Sequence, residues 1–265
     1  MKFIPRTMTQ TIHRAMKTFP AVVLTGPRQS GKTTLFKELF SDTHRFVSLE
    51  NPDVRLRAKA DPVGFLTQYA APVIIDEIQY LPELLSYIKT KIDENREPGQ
   101  WLLTGSQNFV LMQNVTQSLA GRAAILSLLP FSLSENINRK KESQNTASLL
   151  RMIHSRQFPS ENNRNASGND ISLMNQLLRG FYPEIAVNNQ VDRQLWCGSY
   201  ITTYLERDIR NLSHVGDLNL FERFLRLCAT RTGQILNISE MARDVGISVP
   251  TAKRWPLRAT LRQHG

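Results

Sequence analysis

Cysteine is nearly absent from the chain: Cys197 and Cys228 are the only two in 265 residues, and no C-x-x-C spacing occurs. That usage excludes a disulfide framework and reads as reduced structural thiols in a cytoplasmic protein. Long apolar runs are missing as well. None approaches the ~20 residues needed to cross a bilayer, so no membrane partner is expected. The opening Met1 to Arg6 lacks the ~7–15-residue apolar stretch of a signal peptide. Acid is in short supply, with 23 Asp and Glu against 33 Lys and Arg and a net charge of +10. A polyanionic partner would suit that balance, but the charge is spread out. Residues 135–165 hold six Lys or Arg against three Glu, and residues 251–265 hold four and no acid. A solvated surface accounts for most of it. What is present is ordinary globular material, 41% apolar and 21% charged, enough for one large or two ordinary domains.

The most informative stretch runs from Ala21 to Leu35. Val22 to Thr25 form a short apolar or β-branched run, expected as a buried strand. An unbroken G-x-x-x-x-G-K-T follows from Gly26 to Thr33, and then a helix expected from Thr34 to Phe40, with Leu35, Leu39 and Phe40 inward. The chemistry explains the spacing. Gly26 and Gly31 allow backbone angles that let successive N–H groups curl around an anion, and the helix N-terminus adds its partial charge there. Lys32 reaches β- and γ-phosphates and the Thr33 hydroxyl can hold Mg²⁺. The candidate nucleotide contacts are Gly26, Pro27, Arg28, Gln29, Ser30, Gly31, Lys32, Thr33 and Thr34.

In chain order, Thr9 to Phe19 fits an amphipathic helix through Ile12, Met16 and Phe19, ended by Pro20. Strands are expected at Arg45–Glu50, Ala71–Glu77, Gln100–Thr104 and Ala123–Leu129. Helices are expected at Asp53–Ala60, Pro62–Tyr69, Leu81–Ile92 and from Gln107 to near Ala120. The run Val73, Ile74, Ile75 is apolar without alternation, as in a strand buried on both faces of a parallel sheet. Strand alternating with helix at this rhythm predicts a doubly wound α/β sheet.

Three further elements carry chemistry. Asp76 ends the apolar strand where a carboxylate can meet Mg²⁺ beside the phosphate loop, and Glu77 after it can act as general base toward water; the plainer alternative is an acidic pair opening the next helix. At the end of the following strand, Thr104 or Ser106 can orient the attacking water or touch the γ-phosphate, or Ser106 simply caps a helix. Arg122, before the last strand, can stabilise charge on a transferring phosphoryl group, or be a surface arginine paired with an acid.

Together these stretches resemble the prokaryotic AAA-type ATP-binding proteins with a C-terminal domain of unknown function. The resemblance is carried by the Gly26–Leu35 loop, by Ile74 to Leu84 with Asp76 and Glu77 at its heart, by Leu103 to Gln107, and by Leu119 to Arg122. Leu129 to Glu135, Gly180 to Glu184, Tyr204 to Asp208 and the stretch around Gly246 add to it, up to about Trp255. It implies a P-loop ATPase core that binds ATP, and a winged-helix-like second domain.

In the second half, Asn138 to Asp170 is polar and reads as a linker with a short helix at Leu149–Ile153. Helices are expected at Ile171–Leu178, Gln190–Leu212 and Leu218–Thr230. Ile238 to Trp255 has a helix-turn-helix pattern with Met241, Ala242 and Val245 inward, Gly246 at the turn and Ser248 as cap. Such a motif can read DNA or equally be a packing module between domains, so a DNA or protein partner is compatible with this domain. After Trp255, Pro256 breaks the helix and no β-wing pattern follows, so the sequence reads as a truncated member of the family. The wing's absence is expected to leave Leu225, Ile238, Met241 and Val245 under-covered and residues 171–265 mobile or prone to aggregate. The domains expected are 1–136 (P-loop ATPase), 137–170 (linker) and 171–265 (incomplete winged-helix type). The expected reaction is hydrolysis of ATP with Mg²⁺ at Thr33 and Asp76, with an oligomer compatible and a nucleotide-switched DNA-binding regulator as the alternative.

Overall fold

A computed structural model describes residues 3–106, 115, 117–136, 177–204, 218–231 and 233–255. The first elements are α1 (Met8–Thr18), β1 (Ala21–Thr25), α2 (Lys32–Phe40), β2 (Arg45–Ser48), α3 (Pro52–Ala60) and α4 (Pro62–Gln68). Then come β3 (Val73–Asp76), α5 (Leu84–Glu94), β4 (Trp101–Thr104) and β5 (Ala123–Ser127). All five strands are parallel, in the order β2-β3-β4-β1-β5. The expected α/β sheet is therefore present.

Its two faces follow from the period of two along a strand. Val23, Val73, Ile75, Trp101 and Leu103 pack with Ala58, Phe65, Leu84, Ile88 and Ile92 of α3–α5. Val22, Leu24, Ile74 and Leu102 pack on the other face with Ile12, Leu35, Phe36 and Phe40 of α1 and α2. With both faces covered, alternation disappears from β1, β3 and β4, whose residues are all buried. In α2 the inward Leu35 and Phe40 are buried as expected, Phe36 is buried with them, and Leu39 is only partly buried. Phe36 and Phe40 stand one turn apart on a stripe that begins with Lys32. The helix expected from Leu81 begins only at Leu84, because Glu77 takes a left-handed backbone and a 3₁₀ turn, Ile78–Tyr80, intervenes.

The chain divides into two units, Met1–Arg193 and Gln194–Gly265. Within the first, the helices Leu133–Asn136 and Pro183–Val187 follow β5. The Phe131 N–H donates to Phe181 O at 2.9 Å, so the Gly180–Glu184 stretch lies against the end of the sheet region. In the second unit, helices Leu218–Thr230, Ile238–Val245 and Val249–Arg254 surround Phe221, Phe224, Met241, Ala242, Val245, Ala252 and Trp255. The helix-turn-helix pattern is realised: Asn237 accepts from the Glu240 N–H, Gly246 ends the first helix and Ser248 accepts from the Thr251 N–H. Met241 and Val245 are buried, against the expectation that they would lack cover. Leu225 and Ile238 are only partly buried; Trp255 joins the same cluster, its ring 5.0 Å from Phe221 and 5.0 Å from Phe224. Among the described residues this unit has helices and no strand. Gln107 and the start of its helix, the linker 137–170 with Leu149–Ile153, residues 171–176, Leu205–Leu212 and the tail from Pro256 lie outside the described residues.

Candidate functional site

In an open parallel sheet the ligand region lies beyond the carboxyl ends of the strands. Registers Ser48↔Asp76, Ile75↔Leu103 and Leu24↔Thr104 set the last residues of β2, β3, β4 and β1 side by side. Those residues are Ser48, Asp76, Thr104 and Thr25, a polar row at the end of an apolar sheet. The loop that follows β1 borders it.

Two glycines permit that loop. Gly26 has φ +145°, and a Cβ there would run into the carbonyl of Leu128. Gly31, at φ +92°, is the N-terminal cap of α2. Gln29 is also left-handed, at φ +59°. Lys32 is buried, its ammonium donating to Gly26 O at 3.2 Å and Pro27 O at 2.8 Å, so the cation lies across the loop from within. Ser30 is fully buried, while Thr34 is exposed on α2.

Asp76 gathers three hydroxyls. Thr33 Oγ1 and Thr104 Oγ1 each donate to Oδ1 at 2.6 Å, and Ser48 Oγ donates to Oδ2 at 3.1 Å. Thr33 and Asp76, brought together across 43 positions of sequence, are in direct contact. Thr104 also accepts the Glu77 N–H at 3.1 Å. Glu77 sits at φ +58°; it and Gln29 are the two non-glycine residues with positive φ among those described. Such backbone costs ~1–2 kcal/mol per residue and collects at functional positions. Gln79 donates from its amide to the Glu77 carboxylate, and its carbonyl accepts the Ser106 N–H at 3.3 Å. Ser106 is buried at the end of β4, linked to Glu77 through Gln79.

Arg122 is not brought to this group within the chain. Its carbonyl accepts the Ala21 N–H, at the entrance of β1. The five residues of β1 put it roughly 15 Å of strand from the loop. There it makes a two-point ion pair with Asp93, at 2.6 and 3.0 Å, and a third bond to Ala120 O. That hydrogen bonding holds Asp93 below and Arg122 above their ordinary pKa values. The reach toward the loop of its own chain expected from the sequence does not hold, and the alternative of an arginine paired with an acid is what is seen.

Ser48, Gln79 and Arg6 belong to the neighbourhood and had no signal in the sequence. Ser48 depends on which strand lies beside β3. Gln79 depends on the left-handed Glu77, and Arg6 acts from far upstream. The oxygen donors at Thr33 and Asp76 suit Mg²⁺, which prefers hydroxyl, carboxylate and water ligands. The glycine cradle with Lys32 suits a polyphosphate. Among the described residues no helix is long and apolar enough to cross a membrane.

Residues 18–137 match a family described as AAA domain, and residues 171–256 match one described as domain of unknown function, DUF8612. Uncharacterized proteins of Mycobacterium bovis and Mycobacterium tuberculosis are each 27% identical over 245 residues, 92% of this chain and 48% of theirs. The chain thus spans about half the length of the curated relatives it matches. Among solved structures, a Walker-type ATPase of Pyrococcus abyssi has a TM-score of 0.45 at 15% identity, over 79% of this chain and 75% of that one. A RuvB variant of Thermotoga maritima has a TM-score of 0.41 at 18% identity, over 93% and 83%. By their family matches, residues 18–137, with the parallel sheet and the glycine loop after β1, carry an AAA domain, and the chain continues into a domain of unknown function at residues 171–256.

Proposed function

We propose that the site binds ATP with Mg²⁺ and hydrolyses it to ADP and phosphate. The observation that carries this reading is the contact of Thr33 and Thr104 with the Asp76 carboxylate, next to a Glu77 held in a costly left-handed backbone. Lys32 and the loop N–H groups from Gly26 to Thr34 bind the phosphates. For that, the Lys32 ammonium leaves the Gly26 and Pro27 carbonyls, which hold it in place beforehand. Mg²⁺, held by Thr33 and Asp76, supplies neutralisation of phosphate charge. Glu77 accepts a proton from the attacking water, and Ser106, tied to it through Gln79, orients that water. Arg122 serves at the site of a neighbouring copy in an oligomer, where an arginine stabilises developing charge. Titration with MgATP tests the binding. Lys32→Ala removes a charge-assisted contact of ~1.5–3 kcal/mol, so affinity falls by about tenfold or more; equal curves for the two proteins overturn the reading.

The helix pair Ile238–Val245 and Val249–Arg254 favours a second reading, that of a winged-helix-type domain contacting DNA. Arg231 is already engaged there by Glu240 and Asp244, each at 2.9 Å. Binding through phosphate contacts alone is therefore expected, salt-sensitive and with a dissociation constant on the order of 10⁻⁴–10⁻⁶ M. Duplex binding that changes with nucleotide and proceeds without turnover would favour this regulator over the ATPase.

A further inference from the structure

We propose that Arg6 is a positioning residue of the phosphate loop, with Glu135 as its buried counter-ion; this rests on the nucleotide reading above. Arg6 lies outside the 18–137 segment that matches the AAA family, yet it is only 7% exposed. One guanidinium nitrogen donates to Ser30 O of the loop at 3.0 Å. Another donates to Leu129 O at 2.6 Å and Pro130 O at 3.3 Å, just beyond β5. Nε stands 3.3 Å from Glu135 Oε1, an ion pair between side chains that are each 5% exposed, and the guanidinium lies 4.7 Å from the centre of the Phe131 ring. Glu135 is fixed in turn by the Thr7 N–H at 2.7 Å, the Thr7 hydroxyl at 2.9 Å and the Ser132 N–H at 2.8 Å.

The effect on the loop follows from the planar trans peptide, in which C=O and the next N–H point opposite ways. Pinning Ser30 O toward Arg6 turns the Gly31 N–H away from it and stops that peptide from flipping. Gly31 is the residue whose left-handed backbone opens α2, so its amide belongs to the set that lines an anion. A buried ion pair is a poor source of net stability, since desolvation offsets most of its attraction, whereas it does select one geometry. Both partners feel that burial. It lowers the Arg6 pKa, and it pushes Glu135 up until the Ser132 and Thr7 amides and Arg6 bring it below its ordinary range. A Cβ built on Gly31 would lie 3.8 Å from Arg6 and 3.8 Å from Pro183, so the same spot meets the Gly180–Glu184 stretch. Arg6 thus ties α1, the loop and the end of β5 to one arrangement.

Calorimetric titration of the full chain with MgADP, which removes turnover from the measurement, tests this together with hydrogen exchange. In Arg6→Lys a single ammonium cannot serve Ser30, Leu129 and Glu135 at once, so affinity falls about tenfold while the protein still melts cooperatively. Exchange speeds up at the amides of residues 28–32 and stays unchanged in β3. Glu135→Gln weakens binding in the same direction by less, and carries the test if Arg6→Lys does not fold. Arg14→Ala, exposed on α1, leaves affinity unchanged. A folded Arg6→Lys or Glu135→Gln that binds MgADP as tightly as the wild type overturns the role of Arg6 and leaves the nucleotide reading standing. A wild type that binds no MgADP overturns both.

Discussion

Asp76, Glu77 and Gln29 show how much of the site is a matter of single residues. Gln29 lies in the glycine loop and Glu77 directly after Asp76, and these are the two non-glycine residues with positive φ among those described. They differ in what their strain accomplishes. Gln29 shapes a loop, so Gln29→Gly supplies the same backbone without the Cβ cost and should raise stability by up to about 1 kcal/mol in urea melts. Glu77 presents a carboxylate, and glycine there removes it. Thr104 joins the two acids, donating to Asp76 and accepting from the Glu77 N–H. Thr104→Val keeps the shape but removes the buried donor to Asp76 and leaves the part-buried Glu77 N–H without this acceptor, so a loss of ~1–3 kcal/mol is expected in the same melts. Lys32, Thr33 and Asp76 were legible in the sequence because their spacing is set within one strand-loop-helix unit or by an apolar run ending in acid. Ser48, Gln79 and Arg6 were not, because each acts through a partner that only the strand order or a long-range contact supplies.

At the scale of elements, apolar runs and turn residues located all five strands, since a buried parallel strand needs continuous apolar side chains. The ends were less legible. Leu81 looked helical by spacing, but the backbone at Glu77 had already turned the chain into a short 3₁₀ segment before Pro82. In the second unit Met241 and Val245 found cover while Leu225 and Ile238 stayed only partly buried, a matter of packing rather than pattern. Its core includes Trp255, the last described residue of the chain, which is buried in edge-on contact with Phe221 and Phe224. Trp255→Ala should therefore cost ~3–5 kcal/mol in that unit. Asn237→Ala, which removes a helix cap, should cost only ~1 kcal/mol. Thermal melts of the two variants should rank them in that order, and equal losses would show that Trp255 is not central to this core.

For the molecule as a whole, acid should act in two stages. Burial lowers the pKa of His44 from its ordinary 6.5, against the smaller opposing effect of Gly99 O, which lies 2.8 Å from Nε2. The unfolded chain then binds the proton first, so this contribution is present above about 6.5 and is lost as pH falls below it. Glu135, held below its ordinary 4.5, adds stability that is lost as pH falls from there through its folded value. Melting midpoints measured from pH 8 to 3 should fall first below about 6.5 and again below about 4.5, and His44→Gln should remove the first step. None of this depends on nucleotide. The central claim does, and phosphate release from MgATP by wild type and Glu77→Gln, with binding followed in parallel, tests it most directly. The account predicts that Glu77→Gln still binds MgATP while turnover falls ~10²–10⁴-fold. Phosphate release at the wild-type rate would contradict it and leave Glu77 as an acid that merely opens the following turn.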